Sequence, residues 1–351
     1  MCYQTKKNYN SVDLCRAVGS VVVVAAHAWY IGNGSFKSPF SFFFFEYLFR
    51  VTVPFFIISA GFFHYQKLSS VDHFRLKYSF KYIKHYLRIH IIWTLIYFPF
   101  SLMDILHHPK GIPHAVLSYI RNIFFVGADL QLWFIPTLIT AVLIVSFLLS
   151  KGMQPLHILG AAAVFYCIGL FGQSWFGFLR FIRDNAPAAW SALRLAGKIT
   201  VTTRNGLFYG FFFVAAGMCI SYYGISITRR KAAVLFAASL IMMGIEVSLF
   251  QHMGFFREHD MCISLIPASI FLFCTVILTD LPDSRIYPVL RKTSIIVFFL
   301  HMWVMRFILY LFRAAGRPAP QPFILFILTL SCSVIGAFLF ITLSARKSSQ
   351  L

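Results

Sequence analysis

The first long apolar stretch, SVDLCRAVGSVVVVAAHAWYIG at residues 11–32, carries an aspartate, an arginine and a histidine: Asp13, Arg16 and His27. Arg16 and His27 are eleven residues apart. Eleven residues is close to a whole number of helical turns, so the two side chains share a face, about 16 Å apart along the axis. Ionisable groups at membrane depth are costly and tend to mark function. A neutral imidazole can accept a proton near pH 7. A guanidinium can hold a phosphate or carboxylate through two parallel hydrogen bonds. Asp13, one turn before Arg16, is placed to orient it. A lone histidine in such a stretch can also simply bond to a neighbouring helix. The arginine in phase with it tips the balance towards chemistry.

Further groups stand near the ends of other apolar stretches. Glu46 and Arg50 lie one turn apart in FEYLFRVTVPFFIISAGFF, where Arg50 either snorkels to the interface or faces an acceptor. Pro54 follows and is expected to kink the helix. His301 lies about ten residues in from Arg291 and Lys292, at a depth similar to His27. For His301 a structural role weighs slightly more than a catalytic one. The run FREHD supplies Arg257, Glu258, His259 and Asp260 beside an apolar helix, either as a solvated rim or as a substrate mouth. Lys84 and Arg88 open the third stretch. Glu246 lies within an apolar stretch and needs a partner there. No Gly-rich phosphate loop, HExxH or GxSxG motif is present. No metal site is expected, and any chemistry must sit within the helices.

The elements that position these groups follow from composition. Only 12% of the 351 residues are charged and 59% are hydrophobic, with mean hydropathy +0.75. A soluble globule would carry about 25% charged residues. The deficit, with repeated apolar runs near 20 residues, implies an all-α, polytopic integral membrane protein with about ten transmembrane helices. The runs fall at about 12–31, 42–63, 82–102, 130–149, 155–172, 204–223, 231–250, 260–279, 293–312 and 321–343, within one domain over 1–351. The piece 115–127 reads as a surface or re-entrant helix, and 173–203 as interfacial helix near the headgroups. The 42 phenylalanines, many at run ends as in SFFFF, suit contact with membrane lipid. Net charge is +20, but the basic residues fall mostly in connections, so anionic lipid accounts for them and nucleic acid is not implied. Lys and Arg favour the tails and even-numbered connections, which predicts both termini in the cytoplasm of a cell inner membrane. Seven cysteines without a CxxC imply no disulfide framework.

Several segments resemble the membrane acyltransferase-3 family. Its leading signature, an Arg followed by ten residues and a His, reads RAVGSVVVVAAH from Arg16 to His27. RVTVPFFIISAGFF, QLWFIPTLI, REHDMCISLIP and LRKTSIIVFFLHMW follow in family order, although Cys262 stands where an aromatic is expected. The resemblance implies an O-acyltransferase of the stand-alone branch that acetylates envelope sugars. Acetyl-CoA, or another acyl-CoA, would be the donor, docked from the cytoplasm by Arg16 with Asp13 and Arg88. His27 would be general base on a hydroxyl of an envelope glycan or lipid-linked sugar. Arg50, Glu46, His259, Asp260 and His301 would lie on the acceptor side. An amino acid or other small metabolite is a further acceptor to weigh.

Two other classes use the same buried groups. A proton- or anion-coupled transporter would move solute without consuming acyl-CoA. A non-catalytic sensor would tolerate loss of the His27 imidazole.

Overall fold

Four consecutive valines, Val21–Val24, are poor helix formers in water. In a bilayer no water is at hand for the backbone, and a helix satisfies every N–H and C=O internally. The segment is accordingly helical: α1 runs Asn10–Ile31. The computed structural model describes residues 8–32, 47, 49–68, 76–255, 257, 258 and 260–348. The helices that follow are α2 (Thr52–Leu68), α3 (Leu76–Leu106), α4 (Ile112–Phe125), α5 (Phe134–Ser150) and α6 (Pro155–Leu170). Next come α7 (Arg180–Asn185), α8 (Pro187–Thr200), α9 (Phe211–Tyr223, preceded by a π turn at Gly206–Gly210), α10 (Arg229–His252) and α11 (Leu265–Ile277). The last two are α12 (Ile286–Ala314) and α13 (Pro322–Ser348). No strand occurs among the described residues.

Among the described residues, six helical segments are long and apolar enough to cross a membrane: α1, α3, the π turn with α9, α10, α12 and α13. The chain is thus an all-α, multi-pass membrane protein. The ten expected spans are not all of full length. Those at 130–149, 155–172 and 260–279 appear as the shorter apolar helices α5, α6 and α11. The expected span at 42–63 is described only from its middle onward, as α2. Residues 49–51 form a turn and the helix starts at Thr52, so Pro54 sits in the first turn of α2. There its missing N–H has no intrahelical acceptor to lose, so it starts the helix instead of kinking it. Lys84 and Arg88, expected to open the third stretch, lie inside α3, and Lys77 and Lys81 precede them on the same helix. At 31 residues α3 is about 46 Å long, against a hydrocarbon thickness of about 30 Å. Its excess length carries these cations towards the headgroups.

The chain divides into two compact units, one made of its two ends up to Thr52 and from Cys274, the other of Val53–Phe273. In the first, α1, α12 and α13 pack on one another. Val24, Val297 and Ala337 form their shared core, lined by Ile296, Phe326, Leu330 and Val334. A Cβ at Gly32, just past α1, would meet Pro322 at the start of α13 within 3.1 Å, so the small residue permits that approach.

In the second unit, α2 and α9 cross closely. A Cβ at Gly61 would meet the Val214 carbonyl oxygen at 2.6 Å, and one at Gly217 would meet the Ile58 backbone. Small residues let helix backbones approach in this way within membranes. A buried polar chain joins α2, α3 and α5. The His64 Nε2 lies 3.0 Å from the Ser79 hydroxyl, Ser146 donates to Ser79 at 2.9 Å, and Tyr65 and Ser146 hydroxyls are 3.0 Å apart. The segment read as surface or re-entrant helix near 115–127 forms α4, with Leu117 and Phe124 each 70% exposed. His90 Nε2 donates to the Ile123 carbonyl at 3.0 Å and fixes α4 against α3. The 173–203 segment includes a short 3-10 turn, α7 and α8, and Arg121 donates to the Lys198 carbonyl at 2.9 Å.

Candidate active site

In the first unit, α1 packs on α12. On α12, Ser294, Val297, Phe298, His301, Met302, Met305 and Ile308 are buried. They recur at helical spacing and form one inward stripe, whereas Ile295, Tyr310 and Leu311 point outward and are exposed. His301 is fully buried within that stripe. On α1, Val23, Val24 and Ala28 are buried and His27 is half-buried.

These two faces bring the histidines together. His27 Nδ1 lies 3.4 Å from His301 Nε2, with ring centroids 5.1 Å apart. His27 Nδ1 also lies 2.9 Å from the Val23 carbonyl of its own helix. His301 Nδ1 lies 3.2 Å from the Val297 carbonyl. The Phe49 ring meets His27 edge-on, with centroids 6.1 Å apart.

The start of α1 carries a cluster of opposite charges. Asp13 lies 3.9 Å from Arg16 Nη1 and 3.5 Å from Arg291 Nε of α12. Its carboxylate is about 10% exposed, while Arg291 is half exposed. Two guanidiniums thus share one carboxylate, which leaves the group net cationic. Nearby, the Asn10 side chain donates to Asp283 at 2.8 Å and to the Leu281 and Pro282 carbonyls, pinning α1 to the segment before α12. Arg291 was used in the sequence only as a marker of depth. Its partnership with Asp13 spans 278 positions, and no local signal announces it.

Of the remaining expected site residues, Arg50 is half-buried in the turn before α2, and its N–H donates to the Tyr47 carbonyl. Arg88 is exposed on α3 and belongs to the second unit. Glu46 and His259 lie outside the described residues. Asp260 forms an ion pair with Arg204 at 2.6 Å, and that guanidinium lies over the Trp133 ring, 4.5 Å from its centroid. Beside this pair, fully buried Gln173 donates to Glu258 at 2.9 Å and accepts from the Asp260 N–H at 3.3 Å. Sequence reasoning passed over Arg204 and Gln173. Arg204 reads as an interfacial anchor at the head of an apolar run, and Gln173 as the first polar residue after one. Among the described residues, no three His, Cys, Asp or Glu side chains gather as a metal site would need.

Comparison with known proteins bears on this geometry. A family model described as "Acyltransferase domain" matches residues 9–342. A serine/alanine racemase of Enterococcus gallinarum is 26% identical over 298 residues, which is 83% of this chain and 40% of that protein. An amino-acid racemase of Enterococcus faecalis is 26% identical over 359 residues, 97% of this chain and 47% of that protein. The chain spans less than half the length of these curated relatives. No solved structure matches it. With the family model covering all but the two extremities, the chain belongs to the membrane acyltransferase-3 family.

Proposed function

We propose that the chain is an O-acyltransferase that moves an acetyl group from acetyl-CoA to a hydroxyl of an envelope sugar or lipid-linked glycan. The observation that carries this reading is the α1 face on which Arg16 and His27 stand in phase. At one end of that face is a cationic cluster, and further along is a half-buried imidazole. Family membership supports the acyl chemistry. The charge bias of the connections supports a cytoplasmic amino terminus, which would turn the Asp13, Arg16 and Arg291 cluster towards the acyl-CoA pool. Arg16 would hold a phosphate of the donor by bidentate bonding, with Asp13 orienting it. Arg50 and Glu46 are proposed for the acceptor.

In the reaction, His27 removes the proton of the acceptor hydroxyl as its oxygen attacks the thioester carbonyl. The tetrahedral intermediate then expels the CoA sulfur. The carbon–sulfur bond breaks, the ester forms, and the thiolate takes the proton back from His27. Holding both substrates on one dry helical face supplies part of the acceleration.

A second acceptor is favoured by the names of the relatives. Serine, the amino acid in one of those names, also offers a hydroxyl. The test is mass spectrometry of envelope glycans and of the amino-acid pool from cells with and without the protein. It is paired with thiol release from acetyl-CoA by the purified protein. A gain of one acyl unit on a glycan supports the first acceptor, and O-acylserine supports the second. Solute movement without thiol release would overturn the enzyme reading in favour of a transporter.

Arg16→Ala is expected to raise the KM for acetyl-CoA roughly 10- to 100-fold, the effect of losing one charge-assisted pair of about 1.5–3 kcal/mol. Initial-rate kinetics over a range of acetyl-CoA check this. An unchanged KM would remove Arg16 from the donor site.

A further inference from the structure

We infer that His301 is a positioning residue that shares the Nδ1 proton of His27 with the Val23 carbonyl and orients its ring, leaving the lone pair of the base on Nε2. The inference rests on His27 being the base, and it deepens that reading.

The argument follows from which atoms can only accept. A backbone carbonyl never donates, so the contact between His301 Nδ1 and the Val297 carbonyl at 3.2 Å requires a proton on His301 Nδ1. A neutral imidazole has one N–H. His301 Nε2 therefore carries a lone pair, and it faces His27 Nδ1 at 3.4 Å. His27 Nδ1 also faces the Val23 carbonyl at 2.9 Å, again an acceptor. Two acceptors converge on His27 Nδ1, and a lone pair there would oppose both. The proton of neutral His27 therefore resides on Nδ1, shared between Val23 and His301. Its lone pair is on Nε2.

The arrangement also serves the charged state. When Nε2 takes up the hydroxyl proton, the N–H on Nδ1 is already engaged by two acceptors, and no rearrangement is needed. An orienting acceptor behind a catalytic histidine is a general device for choosing which ring nitrogen reacts. Here the acceptor is a neutral ring and not a carboxylate, so it stabilises the imidazolium without adding a charge at membrane depth. Full burial of His301 in the inward stripe of α12 holds its ring in place.

The test uses the full-length protein in lipid, with 15N-labelled histidine read by solid-state NMR at neutral pH. Wild-type His27 is expected as the Nδ1–H tautomer, assigned by the signal lost in His27→Ala. His301→Leu removes one of the two acceptors; the Val23 carbonyl still holds the proton on Nδ1, so the tautomer is expected to persist while the ring loses its orienting partner. That variant should lower kcat about 10- to 100-fold with an unchanged KM for acetyl-CoA. His301→Gln places an amide oxygen near the former Nε2 and is expected to recover most of kcat. A wild-type His27 in the Nε2–H form would overturn the inference, whatever the activity. So would a His301→Gln variant that folds and is as slow as His301→Leu. If wild-type His27 is the Nδ1–H tautomer but His27→Ala still transfers acetyl, the pairing stands and the base assignment falls.

Discussion

His27→Ala is expected to lower kcat for acyl transfer by about 10²- to 10⁴-fold, the range for a positioned general base. That factor corresponds to about 2.7–5.5 kcal/mol of lost transition-state stabilisation. The protein should still fold. His27 is half-buried, its Nδ1 contact to Val23 lies within its own helix, and alanine is the better helix former. Binding of acetyl-CoA should persist, because the cluster of Asp13, Arg16 and Arg291 stands about three turns away. The measurement is thiol release by purified wild-type and variant protein in the same detergent, with equilibrium binding of acetyl-CoA as the control. A variant that releases thiol at the wild-type rate would remove the imidazole from the chemistry. A variant that loses binding as well would show that His27 shapes the donor site instead of acting on the acceptor.

How much of this was legible follows from the solvent. In a bilayer nearly every face of a helix is apolar, so hydropathy locates spans but conceals which side turns inward. The α12 segment shows this: Ile295 and Val297 are equally apolar, yet one is about half exposed and the other buried. His301 could be given a depth from the sequence, but its place against His27 needed the inward stripe. By contrast, the phase of Arg16 and His27 depends on the helical repeat alone and was legible. The span lengths were partly legible. Short helices such as α11 look like full spans because the apolar residues before them, Met261 to Ser264, are not helical. Their backbone is held by a side chain from another helix. The pairing of Asp260 with Arg204 was concealed for a related reason. Two charges 56 positions apart carry no local pattern that joins them.

Glu246 is that other side chain, and its removal is expected to produce the largest loss of stability. The sequence marked it as an acid in need of a partner, and the partners are specific. Its carboxylate accepts from the N–H groups of Ile263 and Ser264, each at 2.8 Å, and from the Ser264 hydroxyl at 2.6 Å. Glu246 is 8% exposed. These N–H groups stand just before α11, where a negative charge also opposes the positive end of the helix. Glu246→Ala leaves two buried backbone donors and a hydroxyl without this acceptor. The expected cost is about 3–5 kcal/mol, since hydrogen bonds to a charged group contribute about 1.5–3 each and unmatched donors add desolvation. Against a total stability of about 5–15 kcal/mol, that should lower the melting temperature sharply. Glu246→Gln keeps one carbonyl but turns an amide N–H₂ towards a donor, so it should fall between the two. Thermal unfolding of the purified variants, followed by loss of the monodisperse peak, gives the order. An Ala variant that melts with the wild type would show that the 261–264 segment is held by other contacts. If the order holds, Arg204 and Asp260 should feel it too. Asp260 lies directly before this segment, and loosening the clamp would release the carboxylate that Arg204 engages.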